Sequence, residues 1–239
     1  MKIKVITLCS GYDSQCMALD VLMEQHPDFD YELVAWSEFD PESKQPIDKQ
    51  PAVIAHNALY PQWADRNLGD MTKIDWEKLK GEHIDLLTYS TPCTDVSSAG
   101  YQQGIAEGSG TRSSILWYTR NAIKALHPKF LLMENVKALV SKKFKPDFDR
   151  WLAELRTMGY ENYWQIVNGT DVNVPQNRER VFVVSVRQDS FDEPEYRFPQ
   201  KQECTRTVED LLEPKVDEKY YLCDEQVQKV LDKIAEEDD

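Results

Sequence analysis

The stretch "KIKVITLCSGYDSQCMALDVLMEQ", residues 2–25, decides the fold. Its first seven residues are rich in branched apolar side chains and read as a buried strand. "CSGYDSQ" follows as a turn around Gly11, and from residue 14 the apolar positions Met17, Leu19, Leu22 and Met23 fall at helical spacing. Strand, glycine turn and helix form the opening half of a nucleotide-binding unit.

The same alternation continues outward. Strands are predicted at 31–37, 83–90, 129–135, 163–168 and 180–187, and helices at 112–126 and 146–160. Residues 40–61 read as a turn plus helix, and "GDMTKID" at 69–75 as a loop. Pro146 suits a first helical turn, and Gly159 a helix end. Strands alternating with helices predict an α/β fold with a doubly wound, mostly parallel sheet. Ligands bind such sheets beyond the carboxyl ends of the strands. The four leading strands exit at Ser10-Gly11, Glu38, Pro92-Cys93 and Glu134-Asn135, so polar and reactive groups gather on one rim. The core is predicted to span 1–187. Residues 188–239 form an acidic linker and helical extension, with a helix beginning near Asp224.

Charge follows that division. The chain of 239 residues has a formal charge of −14, of which residues 188–239 account for −10 with 17 acids against 7 bases. An acidic protein is a poor electrostatic match to nucleic acid, but residues 1–187 leave room for a basic cleft. Five scattered cysteines without CxxC spacing predict no disulfide framework and no metal site, and fit a reducing, cytoplasmic setting. No run of about 20 apolar residues and no signal-peptide pattern is present.

Each candidate group has a plainer alternative. A thiol displayed at a strand exit, as Cys93 is in "STPCTDVSSAG" (90–100), suits nucleophilic attack, yet a lone Pro-Cys is also what an ordinary loop cysteine looks like. A carboxylate ending the apolar run "FLLMEN" is costly unless hydrogen-bonded or catalytic, and Glu134 also reads as a structural cap. At the first turn a single glycine is a weak dinucleotide fingerprint. Asp13 there would repel a pyrophosphate but not a cation, which favours S-adenosylmethionine over NAD; a helix cap at Ser10 or Asp13 is the alternative. Gln176, Arg178 and Arg180 alternate into a strand and share one face. With Arg112, Lys137, Lys142, Lys143 and Lys145 they are candidates for a basic cleft, or for an ordinary solvated edge.

Taken together, these residues resemble the cytosine-C5 DNA methyltransferases over residues 3 to about 187. The likeness rests on the strand–turn–helix opening, Glu38, "GDMTKID", Pro92-Cys93, "GTRSSILWYTRNAI", Glu134-Asn135-Val136 and Gln176-x-Arg178-x-Arg180, in the family's order and spacing. It implies a Rossmann-like S-adenosylmethionine-dependent methyltransferase fold. Cys93 would be the nucleophile, Glu134 the group holding the cytosine edge, and Arg178 and Arg180 its supports. Leu8, Ser10, Gly11, Glu38, Phe39, Asp70, Met71 and Pro92 would bind the cofactor. Gln176, Ser97, Arg112 and Asn135 would meet the substrate, a cytosine flipped from duplex DNA. The chain departs from the family at Cys9 and Asp13, where an aromatic and a second glycine are usual, and at Thr94 and Val96, where Gln and an aromatic are usual. The family's recognition domain and closing motif find no counterpart, which implies that a longer chain or a second polypeptide supplies them. Transfer RNA as the acceptor, or a non-catalytic cofactor-binding homologue, are the competing readings.

Overall fold

The structure is a computed structural model describing residues 1–96, 104–190 and 195–237. Six strands, β1 (Lys2–Leu8), β2 (Asp30–Ser37), β3 (Leu86–Tyr89), β4 (Phe130–Val136), β5 (Tyr160–Asn168) and β6 (Glu179–Arg187), form one sheet in the order β2-β1-β3-β4-β6-β5. The β1/β2, β1/β3 and β3/β4 pairs are parallel, while β6 runs antiparallel to both β4 and β5. The sheet is therefore mixed and mostly parallel across the half that carries the strand exits. Helices α1 (Ser14–Gln25), α2 (Pro51–Leu59), α3 (Thr119–Leu126) and α4 (Lys145–Thr157) surround it, and α5 (Asp224–Glu237) lies beyond. None of these helices is long and apolar enough to cross a membrane.

Two apolar clusters hold the sheet. The larger gathers Ile6, Leu8, Leu87, Leu131 and Met133 with Trp117, Phe148 and Trp151; the smaller packs Cys16, Leu19 and Val53 against Val5, Leu33 and Trp36. At about 25 cal/mol per Å² of apolar surface, each such fully buried side chain contributes roughly 1.5–3 kcal/mol.

Three elements differ from the sequence reading. In α1 only Cys16 and Leu19 are buried, and Met17, Leu22 and Met23 lie on the exposed side with Val21. Two residues one turn apart suffice to reach the sheet, so the remaining apolar positions form an uncovered stripe. Strand β3 is four residues rather than eight. His83 takes a left-handed conformation (φ 52°), and the Asp85 carboxylate accepts the Lys4 N–H at 2.9 Å where a backbone carbonyl would otherwise pair. The predicted helix at 112–126 opens as a 3-10 turn over Arg112–Tyr118. Ser114 donates to the Thr111 carbonyl (2.6 Å), and Ser113 exchanges two hydrogen bonds with Asp95. Serines that bond to nearby backbone compete with regular helix in this way.

After β6 none of residues 195–235 is buried. The segment is tied back to the β5–β6 connection by Gln202 N–H to the Asp171 carbonyl (2.9 Å), the Lys201–Asp171 ion pair (2.9 Å) and Thr205 N–H to Asn173 Oδ1 (2.9 Å).

Candidate active site

A cavity of about 490 Å³ opens where β1 parts from β2 and β3, lined from the exits of all three strands. This is the switch point of a doubly wound sheet, and the volume lies within the ~300–1,000 Å³ of small-molecule sites. The exit turn of β1 is unusual. Cys9, Gly11 and Asp13 all have positive φ (52°, 58° and 67°), a conformation that costs an L-residue other than glycine about 1–2 kcal/mol. Such strain gathers at functional turns. Only Gly11 adopts it freely, and a Cβ added there would meet nothing within 4 Å, because bare backbone faces the open cavity.

Glu38, at the β2 exit, accepts the Gly11 N–H at 2.7 Å. Burial raises its carboxyl above the usual range, and the Gly11 and Phe39 amides oppose that rise only in part. A carboxyl that holds its proton more tightly when folded adds stability below its unfolded value of 4.5, and that contribution is lost as pH climbs through the raised folded value. Glu38→Gln removes the titrating proton. Urea midpoints at pH 4 to 7 are therefore expected to fall for the wild type relative to the variant as pH rises; parallel curves would contradict this account.

Asp13 corrects the sequence reading. It does not line the cavity. Fully buried, it accepts from Thr7 Oγ1 (2.7 Å) and from the Cys16 N–H (3.3 Å) as the cap of α1, and lies 3.6 Å from His56 Nε2. Its charge faces a buried network rather than a ligand, so the argument it was given against a pyrophosphate falls.

Of the other residues expected at the cofactor, Phe39, Asp70, Met71 and Pro92 line the cavity with Glu38 and Gly11. Although burial acts to raise the Asp70 carboxyl, hydrogen bonds from Thr72 and Lys73 outweigh it and hold the group below the usual range. Met71 Sδ lies 3.5 Å from Cys9 Sγ, and the Cys9 thiol is pushed far up by burial and the nearby Glu38 charge. Leu8 and Ser10 are absent from the lining. Leu8 belongs to the core, and the buried Ser10 hydroxyl has no hydrogen-bond partner among the described residues. Cavity residues the sequence reading missed include Ser37, Thr72, Ser90, Ile115 and Tyr118. Ile115 and Tyr118 fall within a recognised motif, but their facing depends on the 3-10 turn.

Beside the cavity stands Glu134, half-buried at the end of β4. Arg180 Nε meets its Oε1 at 2.9 Å. Burial raises the Glu134 carboxyl, while the charges of Arg180 and Arg178 pull the other way. The parallel β3/β4 pairing and the antiparallel β4/β6 pairing bring these groups together, with Val136 opposite Arg180. Asn135 does not present its side chain outward as expected of a substrate contact. It is 4% exposed, and its amide donates to the Thr91 carbonyl at 3.1 Å, fixing the loop that leads to Cys93. Cys93 is half-buried in that loop, two residues beyond Thr91. Ser97 lies outside the described residues.

Gln176, Arg178 and Arg180 border a second cavity, of about 660 Å³, with Lys137 and Ser141. Gly169 permits this arrangement: a Cβ there would sit 2.6 Å from the Gln176 carbonyl oxygen, too close for any other residue. The basic cleft is largely neutralised from within. Arg112 pairs with Glu42 (3.2 Å) and Asp40 (3.4 Å) at the rim of the first cavity, rather than standing free for a substrate. Lys137 pairs with Glu179 (2.7 Å), and Lys145 with Asp149. Among the described residues Arg178 makes no ion pair within 4.0 Å.

Comparison with known proteins gives a consistent picture. The sequence model of the family described as C-5 cytosine-specific DNA methylase matches residues 3–238. Type II methyltransferase M2.ScrFI of Lactococcus lactis subsp. cremoris is 48% identical over 163 residues, covering 68% of this chain and 44% of that protein. Orphan methyltransferase M.Rho11sI of Bacillus phage rho11s is 28% identical over 260 residues, covering 98% of this chain and 48% of that protein. The chain thus spans about half the length of these relatives. Among solved structures, the S. pombe Dnmt2 methyltransferase superposes with a TM-score of 0.65 at 18% identity, over 96% of this chain and 65% of that one, a likeness of fold.

Proposed function

The chain belongs to the C-5 cytosine-specific DNA methylase family, and on that premise we propose that it forms the catalytic core of a DNA (cytosine-5-)-methyltransferase. The observation that carries the reading is the convergence on one sheet rim of Glu134, held by Arg180, and the Cys93 loop, held by Asn135, beside the cavity that Glu38 and Gly11 border.

The cavity fits S-adenosylmethionine by chemistry. Glu38 and Asp70 set carboxylates in its wall against a ligand that carries two cationic centres, and Gly11 leaves bare backbone beside it. Glu38, Phe39, Asp70, Met71 and Pro92 would hold it. When bound, it supplies an electrophilic methyl group. The Cys93 thiolate adds to C6 of the cytosine, forming a carbon–sulfur bond and moving electron density toward C5 and N3. Glu134, whose burial favours the protonated carboxyl against the opposing charges of Arg180 and Arg178, would hydrogen-bond to N3 and the exocyclic amine and stabilise that charge. C5, so activated, would be the acceptor for that methyl group, whose bond to sulfur breaks to leave a neutral thioether. Loss of the C5 proton to water would re-form the double bond and expel the Cys93 thiolate. Arg180 keeps the Glu134 carboxyl in place throughout, and Arg178, without an ion pair among the described residues, is suited to the cytosine carbonyl or a neighbouring phosphate. The base must leave the helical stack to reach this rim.

Recognition of a DNA sequence would come from elements beyond this core, with residues 188–239 leading toward them. The uncovered stripe Met17, Val21, Leu22 and Met23 on α1 supports an additional packed element, in the same chain or a second one. The net charge of −14 supports weak DNA affinity by the chain alone.

Calorimetry with S-adenosylmethionine tests the reading directly. Saturable binding is expected, weakened in Asp70→Asn, with no comparable heat for NAD. Absence of binding, or preference for NAD, would overturn it. Methyl transfer to duplex DNA against transfer RNA separates the two nucleic-acid acceptors.

A further inference from the structure

Asp95 stands two residues beyond Cys93 and is 3% exposed. Its N–H donates to Ser113 Oγ at 3.2 Å, its Oδ2 accepts the Ser113 N–H at 2.9 Å, and its carbonyl accepts the Gly104 N–H at 2.8 Å. Ser113 is itself fully buried, in the 3-10 turn Arg112–Tyr118. Hydrogen bonds are directional, so two in reciprocal arrangement fix the rotation of the paired segments as well as their separation. The span they hold is short. Cys93 opens a turn that closes with the Val96 N–H on the Cys93 carbonyl at 3.0 Å, and Val96 is buried in the larger apolar cluster. On the other side of Cys93, the Thr91 carbonyl is held by the Asn135 amide. The thiol thus lies midway between two anchors, one on β4 and one on the 3-10 turn. The second anchor also reaches the cofactor cavity. Arg112, Ser114 and Ile115 flank Ser113 and line that cavity, so its wall and the Cys93 turn are tied at one point.

We propose that Asp95 and Ser113 are positioning residues for the Cys93 thiol, their paired hydrogen bonds holding the turn that carries it against the wall of the cofactor cavity. The role in methyl transfer rests on the function proposed above; the anchoring of the turn does not. A thiolate adding to a ring carbon must approach along a defined line, and a misplacement of about 1 Å costs on the order of 100-fold in rate. Beyond Tyr89 no strand ladder sets the backbone, so the two anchors do what a ladder does elsewhere. A plainer role for Asp95 is to cap the 3-10 turn. Thr111, which precedes that turn, makes no capping bond from its own side chain, and Asp95 supplies the acceptor from another part of the chain. Capping alone would affect stability. Positioning would in addition alter the reactivity of one particular sulfur.

The test follows alkylation of Cys93 by iodoacetamide in the full chain, read by peptide mass spectrometry, with the buried Cys16 as control for global opening. In Asp95→Ala the freed turn is expected to expose the half-buried thiol and raise Cys93 alkylation several-fold, with Cys16 unchanged. Covalent capture of 5-fluorocytosine DNA in the presence of S-adenosylmethionine is expected to move the opposite way. Its rate constant at saturating DNA falls on the order of 10-fold while its amplitude is retained, whereas a loss of folded protein would lower the amplitude instead. Asp95→Asn keeps an oxygen for the Ser113 N–H and is expected to restore both rates. Ser113→Ala removes only the hydroxyl and is expected to shift both rates by less in the same directions, which keeps the test decisive if Asp95→Ala does not fold. Cys93 alkylation unchanged in the variants, or Cys16 alkylation rising in step with it, overturns the proposal. Capture at the wild-type rate constant while Cys93 alone becomes more reactive overturns the positioning role. If the wild type captures no DNA while Cys93 responds selectively, the methyltransferase reading fails and the anchored turn stands.

Discussion

Replacing Cys93 with alanine is expected to abolish covalent capture of DNA containing 5-fluorocytosine in the presence of S-adenosylmethionine, and to leave folding and cofactor binding intact. Fluorine at C5 cannot leave as a proton would, so an enzyme that has added its thiolate to C6 and delivered the methyl group remains joined to the base. Without the sulfur no adduct forms, and methyl transfer is expected to fall on the order of 10⁴-fold or more, about 5 kcal/mol of transition-state stabilisation. The other cysteines offer no substitute. Cys9 and Cys16 have thiols pushed far up by burial, each with a carboxylate nearby, Glu38 and Asp13, that opposes ionisation. Cys204 and Cys223 sit in the segment beyond β6. The loop loses little in the exchange, because Cys93 is half-buried and its anchor is the Asn135–Thr91 hydrogen bond rather than the thiol. A Cys93→Ala chain that still captures the modified DNA would move the nucleophile elsewhere and remove the chemical basis of the proposed function.

How far this rim was legible in the sequence depends on whether a feature is local. Strands β1, β2, β4 and β6 follow from apolar runs between turn residues, and the exits at Gly11, Glu38, Cys93 and Glu134 follow from where those runs stop. Side-chain direction does not. Asp13 was given a role in the cavity because it sits beside Gly11 in the chain, but the left-handed backbone at Asp13 turns its carboxylate into the core beneath α1. Arg112 and its partners Asp40 and Glu42 are some seventy residues apart, and only the closure of the sheet brings them together. Asn135 sits next to Glu134, yet alternation along β4 sends one side chain to Arg180 and its neighbour to the Thr91 carbonyl. The Gln15 amide and the Ser90 hydroxyl, which meet at 3.0 Å, carry no pattern at all. Each is a single polar residue whose partner is set by the β1/β3 and β3/β4 registers.

Those registers depend in turn on the packing beneath them, where the largest loss of stability is expected from Trp151→Ala. Trp151 is fully buried on α4. Its ring meets Tyr89 edge-on at 6.2 Å and Trp117 at 5.5 Å, and its Nε1 donates to the Tyr89 hydroxyl at 3.2 Å. Truncating a buried tryptophan costs about 3–5 kcal/mol, and two edge-to-face contacts add about 0.5–1.5 kcal/mol each within that loss. Against a total stability of ~5–15 kcal/mol this is a large fraction, and the melting temperature is expected to fall by roughly 6–20 °C. Trp151→Phe separates the terms. It keeps most of the ring volume and forfeits the hydrogen bond, leaving the buried Tyr89 hydroxyl unpaired for about 1–3 kcal/mol. Tyr89 is the last residue of β3, one position before Ser90 and four before Cys93. A cavity behind it frees the strand end from which the Cys93 loop departs. Capture of 5-fluorocytosine DNA by Trp151→Ala is therefore expected to slow even at temperatures where the variant is fully folded, and to recover in Trp151→Phe. A loss below about 1 kcal/mol in urea titration, or capture at the wild-type rate, would mean that the rim is held from elsewhere and that the α4 face only fills space.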